Sequence, residues 1–262
     1  SMKGIHWKWR MHGGAITLSK QLNESLFNPD LILITDMLDV AVFKSLLKIE
    51  LQNIPIILYF HENQLMYPKS KLDMDNQKER DNHYGFINFT SALVADKIIF
   101  NSLFHQTEFI KELNSFLKKF PDYSIVENVA LIQNKTTVIP VGIKHDFQEK
   151  NKNNNTSPVI LWNHRWEYDK NPEQFFKILF KLKNDNIKFK LNVIGENFKT
   201  SPKIFLKAKI KLAEEILNWG YIESRDNYFN ILKKSNILPV TSNHDFFGIS
   251  TVEAIFHGVY PL

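Results

Sequence analysis

Apolar runs of four or five residues recur along the chain, each followed by a stretch whose apolar positions return every three or four residues. In the first half the runs are Leu31–Thr35, Ile56–Phe60, Lys97–Asn101 and Thr137–Val141. The spacing between them predicts helices near 37–50, 77–95 and 103–118. In the second half the runs are Val159–Trp162, Lys190–Ile194, a short one near Trp219–Ile222, and Ile237–Thr241. Helices are expected near 172–184, 202–216, 224–234 and 249–257, and Val259-Tyr260-Pro261-Leu262 reads as the start of another strand. Strands that are apolar almost throughout, alternating with helices, predict an α/β fold with parallel sheets covered on both faces.

The segment 148–158 is polar, lacks apolar residues and ends in Pro158, so it reads as a linker. Two Rossmann-like domains follow from this division, residues 1–147 and 159–262, with parallel sheets facing a cleft. In open α/β sheets ligands sit beyond the carboxyl ends of the strands, and they often lie between domains. The polar motifs of this chain fall at such strand ends.

Composition narrows the field. A chain of 262 residues with 44% hydrophobic content can bury one large core or two ordinary ones. No apolar run reaches the roughly 18 residues that span a bilayer, so membrane insertion is not expected. The absence of cysteine excludes a disulfide framework and thiolate zinc sites. The expected compartment is the cytoplasm, with nuclear access open. Residues 1–150 carry 17 basic and 17 acidic side chains and residues 151–262 carry 16 and 11, so the excess of +5 lies in the second part. Lys199, Lys203, Lys207, Lys209 and Lys211 form its densest cluster; a solvated helix face is the plainer reading, an electrostatic footprint for a phosphate-bearing partner such as RNA the functional one.

Two segments carry the candidate chemistry. After the strand Val159–Trp162, Asn163-His164-Arg165-Trp166-Glu167-Tyr168-Asp169-Lys170-Asn171-Pro172 places an arginine and a lysine in a strand-to-helix loop. Arginine binds phosphate oxygens as a fork and lysine as a point charge; pairing with Glu167, Asp169 or Glu173 is the structural alternative. The second segment, His244-Asp245-Phe246-Phe247-Gly248-Ile249, puts a glycine at the mouth of a helix whose free N–H groups favour a phosphate or sugar oxygen. Asp245 and Glu253, eight residues apart, suit sugar and ribose hydroxyls. A dication–helix pair for a leaving diphosphate and carboxylates for hydroxyls point to a nucleotide-sugar-dependent glycosyltransferase. At the end of Ile56–Phe60, His61-Glu62-Asn63-Gln64 offers polar groups from the first domain, His61 being able to hydrogen-bond the transferred sugar or an acceptor. Asn101-Ser102 occupies the equivalent end of the next strand. Asp73-Met74-Asp75 matches a metal-binding DxD signature but follows no apolar strand, so no metal is expected. Trp7, Trp9 and Trp166 can stack on a base, although tryptophans more often fill cores.

With these residues in view the chain resembles the GT-B, retaining family-4 glycosyltransferases, and among them the tRNA-queuosine α-mannosyltransferases. The likeness rests on Tyr59–Leu65, Asn163–Glu173 and His244–Gly248 through Glu253-Ala254. Weaker support comes from Trp7–Arg10, Leu93–Asp96, Gly195-Glu196 and Trp219-Gly220-Tyr221. The resemblance implies GDP-mannose as donor, the queuosine of a tRNA as acceptor, and no cofactor. By analogy the catalytic set is His61, Arg165, Lys170 and Asp245. Arg165 and Lys170 would hold the diphosphate, Asp245 the mannose, Glu253 the ribose, and Gly220-Tyr221-Ile222 the guanine, with Gly195, Glu196, Phe247, Gly248 and Ile249 completing the donor side. The acceptor side would be His61, Glu62, Asn63 and Gln64. Retention in such enzymes is explained by same-face attack, so no protein nucleophile is expected. Two departures stand out: the family commonly has glutamate where this chain has Asp245, and it has a first strand and glycine-bearing loop ahead of Trp7 and further structure beyond Leu262. Gly13-Gly14 does not replace that loop. Both ends thus read as cuts through a larger fold, and the chain alone is expected to bind donor weakly and transfer poorly. The competing readings are a family-4 enzyme with a lipid-linked or small-sugar acceptor and a non-catalytic nucleotide- or RNA-binding relative.

Overall fold

The computed structural model describes residues 7–67, 82–120, 125–143, 157–197 and 201–262. The chain forms two compact units, Ser1–Val141 and Gly142–Leu262. The first unit thus ends ahead of the polar segment 148–158, of which residues 148–156 lie outside the described ones.

The first unit contains α1 (Trp7–Glu24), β1 (Ile32–Thr35), α2 (Val40–Ser45), α3 (Ile49–Gln52), β2 (Ile56–Phe60), α4 (Asn82–Val94), β3 (Lys97–Phe100), α5 (Leu103–Leu117), α6 (Asn128–Gln133) and β4 (Thr136–Val138). Its sheet is parallel throughout, in the order β1-β2-β3-β4. Register aligns Ile34 with Leu58 and Leu58 with Ile98, all three buried. Phe60, Phe100 and Phe109 close the core beside them, with ring centroids 4.9–5.3 Å apart. Coverage is fuller on one face than on the other: along β2 burial alternates between complete and partial, and Leu33 on the edge strand β1 is 65% exposed. The inner strands β2 and β3 share this alternation, so among the described residues one face of this sheet is covered more fully than the other.

Polar side chains fasten the connections. Ser102 caps α5 by accepting from His105 N at 3.0 Å, and Asp39 caps α2 through Val42 N at 3.0 Å. Lys135 Nζ donates to the carbonyls of Leu93 and Ala95 at 2.7 and 2.8 Å, closing the C-terminal end of α4. The single helix expected near 37–50 is two short ones. Asn23 bridges the break between them, donating to Leu46 O and accepting from Lys48 N, each at 2.9 Å. Helices α1 and α6 fall where the apolar pattern predicts no element. The buried side of α1 is Met11, Gly14, Ala15 and Ser19. Small residues make a close-packing helix face but leave no apolar stripe to detect.

The second unit contains β5 (Val159–Trp162), a 3₁₀ turn (Tyr168–Lys170), α7 (Pro172–Asn184), β6 (Lys190–Ile194), α8 (Ile204–Lys211), β7 (Ile216–Gly220), α9 (Arg225–Lys234), β8 (Ile237–Leu238), α10 (Ile249–Phe256) and β9 (Tyr260–Pro261). The order is β7-β6-β5-β8-β9, again all parallel. Here both faces of the central strands are covered. Trp162 joins Phe175, Phe176, Phe205 and Trp166 on one side, while Leu161 joins Ile194, Phe229, Leu238 and Val259 on the other. The strand expected at 219–222 starts earlier, at Ile216, and the helix expected over 202–216 stops at Lys211. Ala213-Glu214-Glu215 favours helix locally, but Glu215 O accepts from Leu191 N at 2.8 Å and its carboxylate pairs with Lys183 at 3.0 Å. Tertiary pairing overrides the local propensity.

Phe100→Ala would empty a fully buried site that touches two other phenylalanines. A loss of about 3–5 kcal/mol is expected in urea unfolding of the first unit.

Candidate active site

In the second unit the loops after β5, β6, β7 and β8 gather polar side chains at one edge of the sheet. The first is built around Asn163 and His164. Asn163 Nδ2 donates to Ser250 O at 2.7 Å, and His164 Nδ1 lies 2.9 Å from Ser250 Oγ, so the end of β5 is tied to the first turn of α10. Trp162 Nε1 donates to His164 O at 3.0 Å. Gly195, at φ +142°, follows β6, and a Cβ there would stand 2.1 Å from His164 O. Only glycine allows this approach. Trp166 N then donates to Glu196 O at 2.9 Å, joining the two loops. Trp166 itself is buried and stacks on Phe205 at 4.3 Å, so it is a core residue and not a platform for a base.

Lys170 closes the 3₁₀ turn and is followed by Asn171 at φ 52°, which caps α7 ahead of Pro172. Its side chain is 10% exposed, and Nζ lies 2.9 Å from Asp169 Oδ2 and 2.8 Å from Asp245 Oδ1. Thr241 Oγ1 donates to Lys170 O at 2.9 Å and Asn243 N to Asp169 O at 2.8 Å, anchoring the turn to the loop after β8. Burial by itself would lower the pKa of Lys170, but its hydrogen bonds and charge contacts with Asp245 and Asp169 outweigh it and raise the pKa. The lysine is therefore a fixed cation. Arg165 is half exposed and pairs with Glu167 at 3.2 Å, whose pKa burial pushes up against the pull of the guanidinium. An exposed pair of this kind is worth about 0–1 kcal/mol, so its arginine can exchange partners readily.

Gly248, at φ +73°, is the N-cap of α10 and receives no side-chain cap bond, with Ile249 opening the helix. Glu253 lies one turn further in, with its carboxylate 13% exposed; Tyr228 Oη donates to Oε2 at 2.9 Å and Arg225 Nη2 stands 3.4 Å from Oε1. Phe247 is half-buried, Tyr221 is exposed and Ile222 packs against the core beneath α9. Gly220, at φ +107°, has nothing within 4 Å of a Cβ position, so its backbone conformation and not crowding calls for glycine. Among the described residues, five buried polar atoms at this edge have no hydrogen-bond partner: Asn163 Oδ1, His164 Nε2, Asp169 Oδ1, Ser242 Oγ and Thr251 Oγ1. Such atoms are rare in folded proteins and mark places where a ligand or water completes the bonding.

In the first unit His61 is half exposed at the end of β2. Its backbone N donates to Asp36 Oδ1 at 2.8 Å and its Nδ1 lies 3.5 Å from the same oxygen. The hydrogen bond from buried Asp36 raises the His61 pKa against partial burial. Asn63, expected to be presented with its neighbours, is instead fully buried. Its Oδ1 accepts from Leu65 N and Met66 N, each at 3.1 Å, and its Nδ2 donates to His105 Nε2 at 2.8 Å. His105 must then donate from Nδ1 to Asn101 Oδ1, at 2.8 Å, while Asn101 Nδ2 donates to His61 O at 2.8 Å. Asn63 and Asn101 are thus scaffold, holding the loop that presents His61. Gln64 N donates to Asn88 Oδ1 at 2.7 Å and its amide reaches Glu62 at 3.1 Å.

Asp36, His105, Ser250, Arg225 and Tyr228 join these sites without a role expected from the sequence, and Asn163 and His164, inside the candidate loop, prove to be its anchors. Asp36 directly follows a predicted strand, a signal that could have flagged it; the others are paired only by the fold. Asp73-Met74-Asp75 and Lys199 lie outside the described residues. Lys207 and Lys211 lay their ammonium groups over Phe180 at 5.9 and 5.3 Å, which suits a solvated helix face. Among the described residues no three metal-ligating side chains converge, and no helix is long and apolar enough to cross a membrane.

Two parallel α/β units with a basic and acidic cluster at the strand ends fit a glycosyltransferase of GT-B type, and the comparisons with known proteins show that class. The model of the group 1 glycosyl transferases matches residues 143–262. A sucrose-phosphate synthase from Thermosynechococcus elongatus superimposes with a TM-score of 0.68 at 15% identity, covering 100% of this chain and 62% of that one. A pneumococcal O-GlcNAc transferase solved with UDP and GlcNAc gives 0.60 at 18% identity, covering 94% and 43%. Both support the fold alone, and the chain spans less than two thirds of either. The family is narrower: the N-terminal model of tRNA-queuosine alpha-mannosyltransferases matches residues 1–143. The tRNA-queuosine alpha-mannosyltransferase of Drosophila melanogaster is 30% identical over 283 residues, spanning 100% of this chain and 70% of the relative. The chain belongs to the tRNA-queuosine alpha-mannosyltransferase family.

Two titrations test this electrostatic picture. Burial lowers the His164 pKa to about 4, against 6.5 unperturbed. The unfolded chain therefore takes up the proton first, and stability is full above pH 6.5 and lost as pH falls toward 4, by about 3 kcal/mol in all. His164→Asn should remove that part of the acid slope in urea unfolding between pH 6.5 and 4. For His61 the sign is opposite: its raised pKa adds stability below pH 6.5 that disappears as pH rises through the folded value. In Asp36→Asn, NMR titration should find the His61 pKa lowered while the other histidines keep theirs.

Proposed function

We propose that the protein containing this chain transfers mannose from GDP-mannose, with retention, to the queuosine of a tRNA. Family membership supports the acceptor and the sugar. The observation that carries the donor side is Lys170, buried against Asp245 beside the uncapped start of α10.

In this reading the diphosphate takes Arg165 from Glu167 and draws the Lys170 ammonium toward its oxygens. The partial release of Asp245 turns that carboxylate to the mannose hydroxyls. Free N–H groups at the start of α10 add their dipole. As the bond from the anomeric carbon to the phosphate oxygen breaks, negative charge grows on the leaving group, where fixed cations lower the barrier most. A queuosine hydroxyl attacks the same face, and its proton passes to the departing phosphate oxygen. No side chain acts as nucleophile, and Arg165 and Lys170 supply the positive charge that a metal would otherwise bring. Glu253 binds the ribose and Gly220-Tyr221-Ile222 the guanine. His61, held by Asp36, is the acceptor-side group of the first unit.

Thermal shifts with GDP, UDP, ADP and their sugar conjugates test the donor. GDP and GDP-mannose should stabilise most, and Arg165→Ala should weaken their binding by about tenfold or more, the value of a charge-assisted contact. Transfer of labelled mannose to queuosine-containing tRNA by the whole protein then tests the acceptor. Equal shifts with every base, or loss of none in the variant, would overturn the donor assignment.

A further inference from the structure

We infer that Tyr228 is the positioning residue that aims Glu253 at the ribose of the nucleotide, an inference that rests on Glu253 being the ribose ligand. A carboxylate exposed to only 13% needs its hydrogen bonds satisfied in a fixed arrangement. Glu253 has two partners of unequal firmness. Arg225 stands at 3.4 Å with a side chain 55% exposed, and its guanidinium also lies 5.2 Å from the Phe229 ring. Tyr228 Oη is closer, at 2.9 Å, and belongs to a more buried network.

The proton count around Tyr228 leaves one arrangement. Asn163 Nδ2 stands 3.3 Å from Tyr228 Oη and can only donate, so the phenol accepts there. Its single proton is then free for Glu253 Oε2, which as a carboxylate oxygen can only accept. Burial, with Glu253 adding to it, pushes the phenol pKa up, so the proton stays in place at neutral pH. Asn163 also donates to Ser250 O at 2.7 Å, in the first turn of the helix that carries Glu253. The chain Ser250–Asn163–Tyr228–Glu253 therefore locks a side chain of α10 to the end of β5 and to α9. With Oε2 engaged by the phenol, the carboxylate has one orientation, and Oε1, shared among the described residues only with the half-exposed Arg225, is the oxygen a ribose hydroxyl can reach.

The test measures the affinity of the whole protein for GDP, 2′-deoxy-GDP and 3′-deoxy-GDP by calorimetry, in wild type, Tyr228→Phe and Glu253→Gln. Phenylalanine keeps the ring and its packing, and thermal unfolding of each variant checks that the fold survives. Wild type should lose about tenfold affinity when the contacted hydroxyl is removed. In Tyr228→Phe that loss should shrink to less than threefold, with GDP weakened and the deoxy analogue bound as in wild type. Glu253→Gln should shrink it as well. Weakening of GDP and deoxy-GDP by equal factors in Tyr228→Phe, with the hydroxyl penalty lost in Glu253→Gln, would make Tyr228 a packing residue and overturn the inference while leaving the ribose reading intact. A full hydroxyl penalty in Glu253→Gln, or no GDP binding by any form, would overturn the ribose reading and this inference with it.

Discussion

Lys170 is the constraint on which the second unit's polar edge depends. An ammonium this deeply buried is tolerable only with carboxylates in contact, and it has two, at 2.8 and 2.9 Å. Asp169 is its chain neighbour, but Asp245 lies 75 residues away on the loop after β8. Together with the bonds from Thr241 and Asn243 to the carbonyls of Lys170 and Asp169, the pair fixes the loops after the neighbouring strands β5 and β8 against each other. Breaking such a pair leaves a buried charge and costs about 3–5 kcal/mol. The same contact explains why the aspartate at this position need be no longer: its short side chain already reaches the lysine. Two carboxylates to one ammonium leave a local excess of negative charge.

Both units solve one problem in the same way. Each must hold flexible polar loops beyond the carboxyl ends of parallel strands, where no ladder hydrogen bonds remain. Each uses a buried asparagine and a neutral histidine. In the first unit Asn63, His105 and Asn101 form a relay that ends on the backbone of His61. In the second, Asn163 and His164 grip Ser250 at the mouth of α10. Asparagine offers donor and acceptor without a charge to desolvate, so it can be buried whole. The side chains of His61, Arg165 and Asp245 are then mounted on backbone held in place, each paired with an oppositely charged or hydrogen-bonding neighbour.

Parallel strands, their order along the chain and the loops that carry Arg165, Lys170, Asp245 and Gly248 were legible because apolar runs and polar strand ends are local signals. Asn63 was misread for an equally local reason. A polar residue after an apolar strand is presented in most loops, and only the depth of His105 shows that this one is consumed inside. The helix at 7–24 escaped because, apart from Met11, its buried face is made of glycine, alanine and serine, which pack closely without raising hydrophobicity. The early end of α8 escaped because Ala213-Glu214-Glu215 has helical propensity, which β6 and Lys183 overrule.

The sequence by itself determined the parallel α/β character of both halves, the balance of charge between them and which residue types stand after each strand. These follow from short apolar runs, from helical spacing of three to four residues and from composition, which act over a few positions. Only the tertiary structure decided which of those side chains meet. Lys170 with Asp245, Tyr228 with Glu253 and Gly195 with the carbonyl of His164 are contacts across 25 to 75 residues of chain, set by the order β7-β6-β5-β8-β9. Pairing of that kind depends on strand order and loop path, and no local pattern encodes either one.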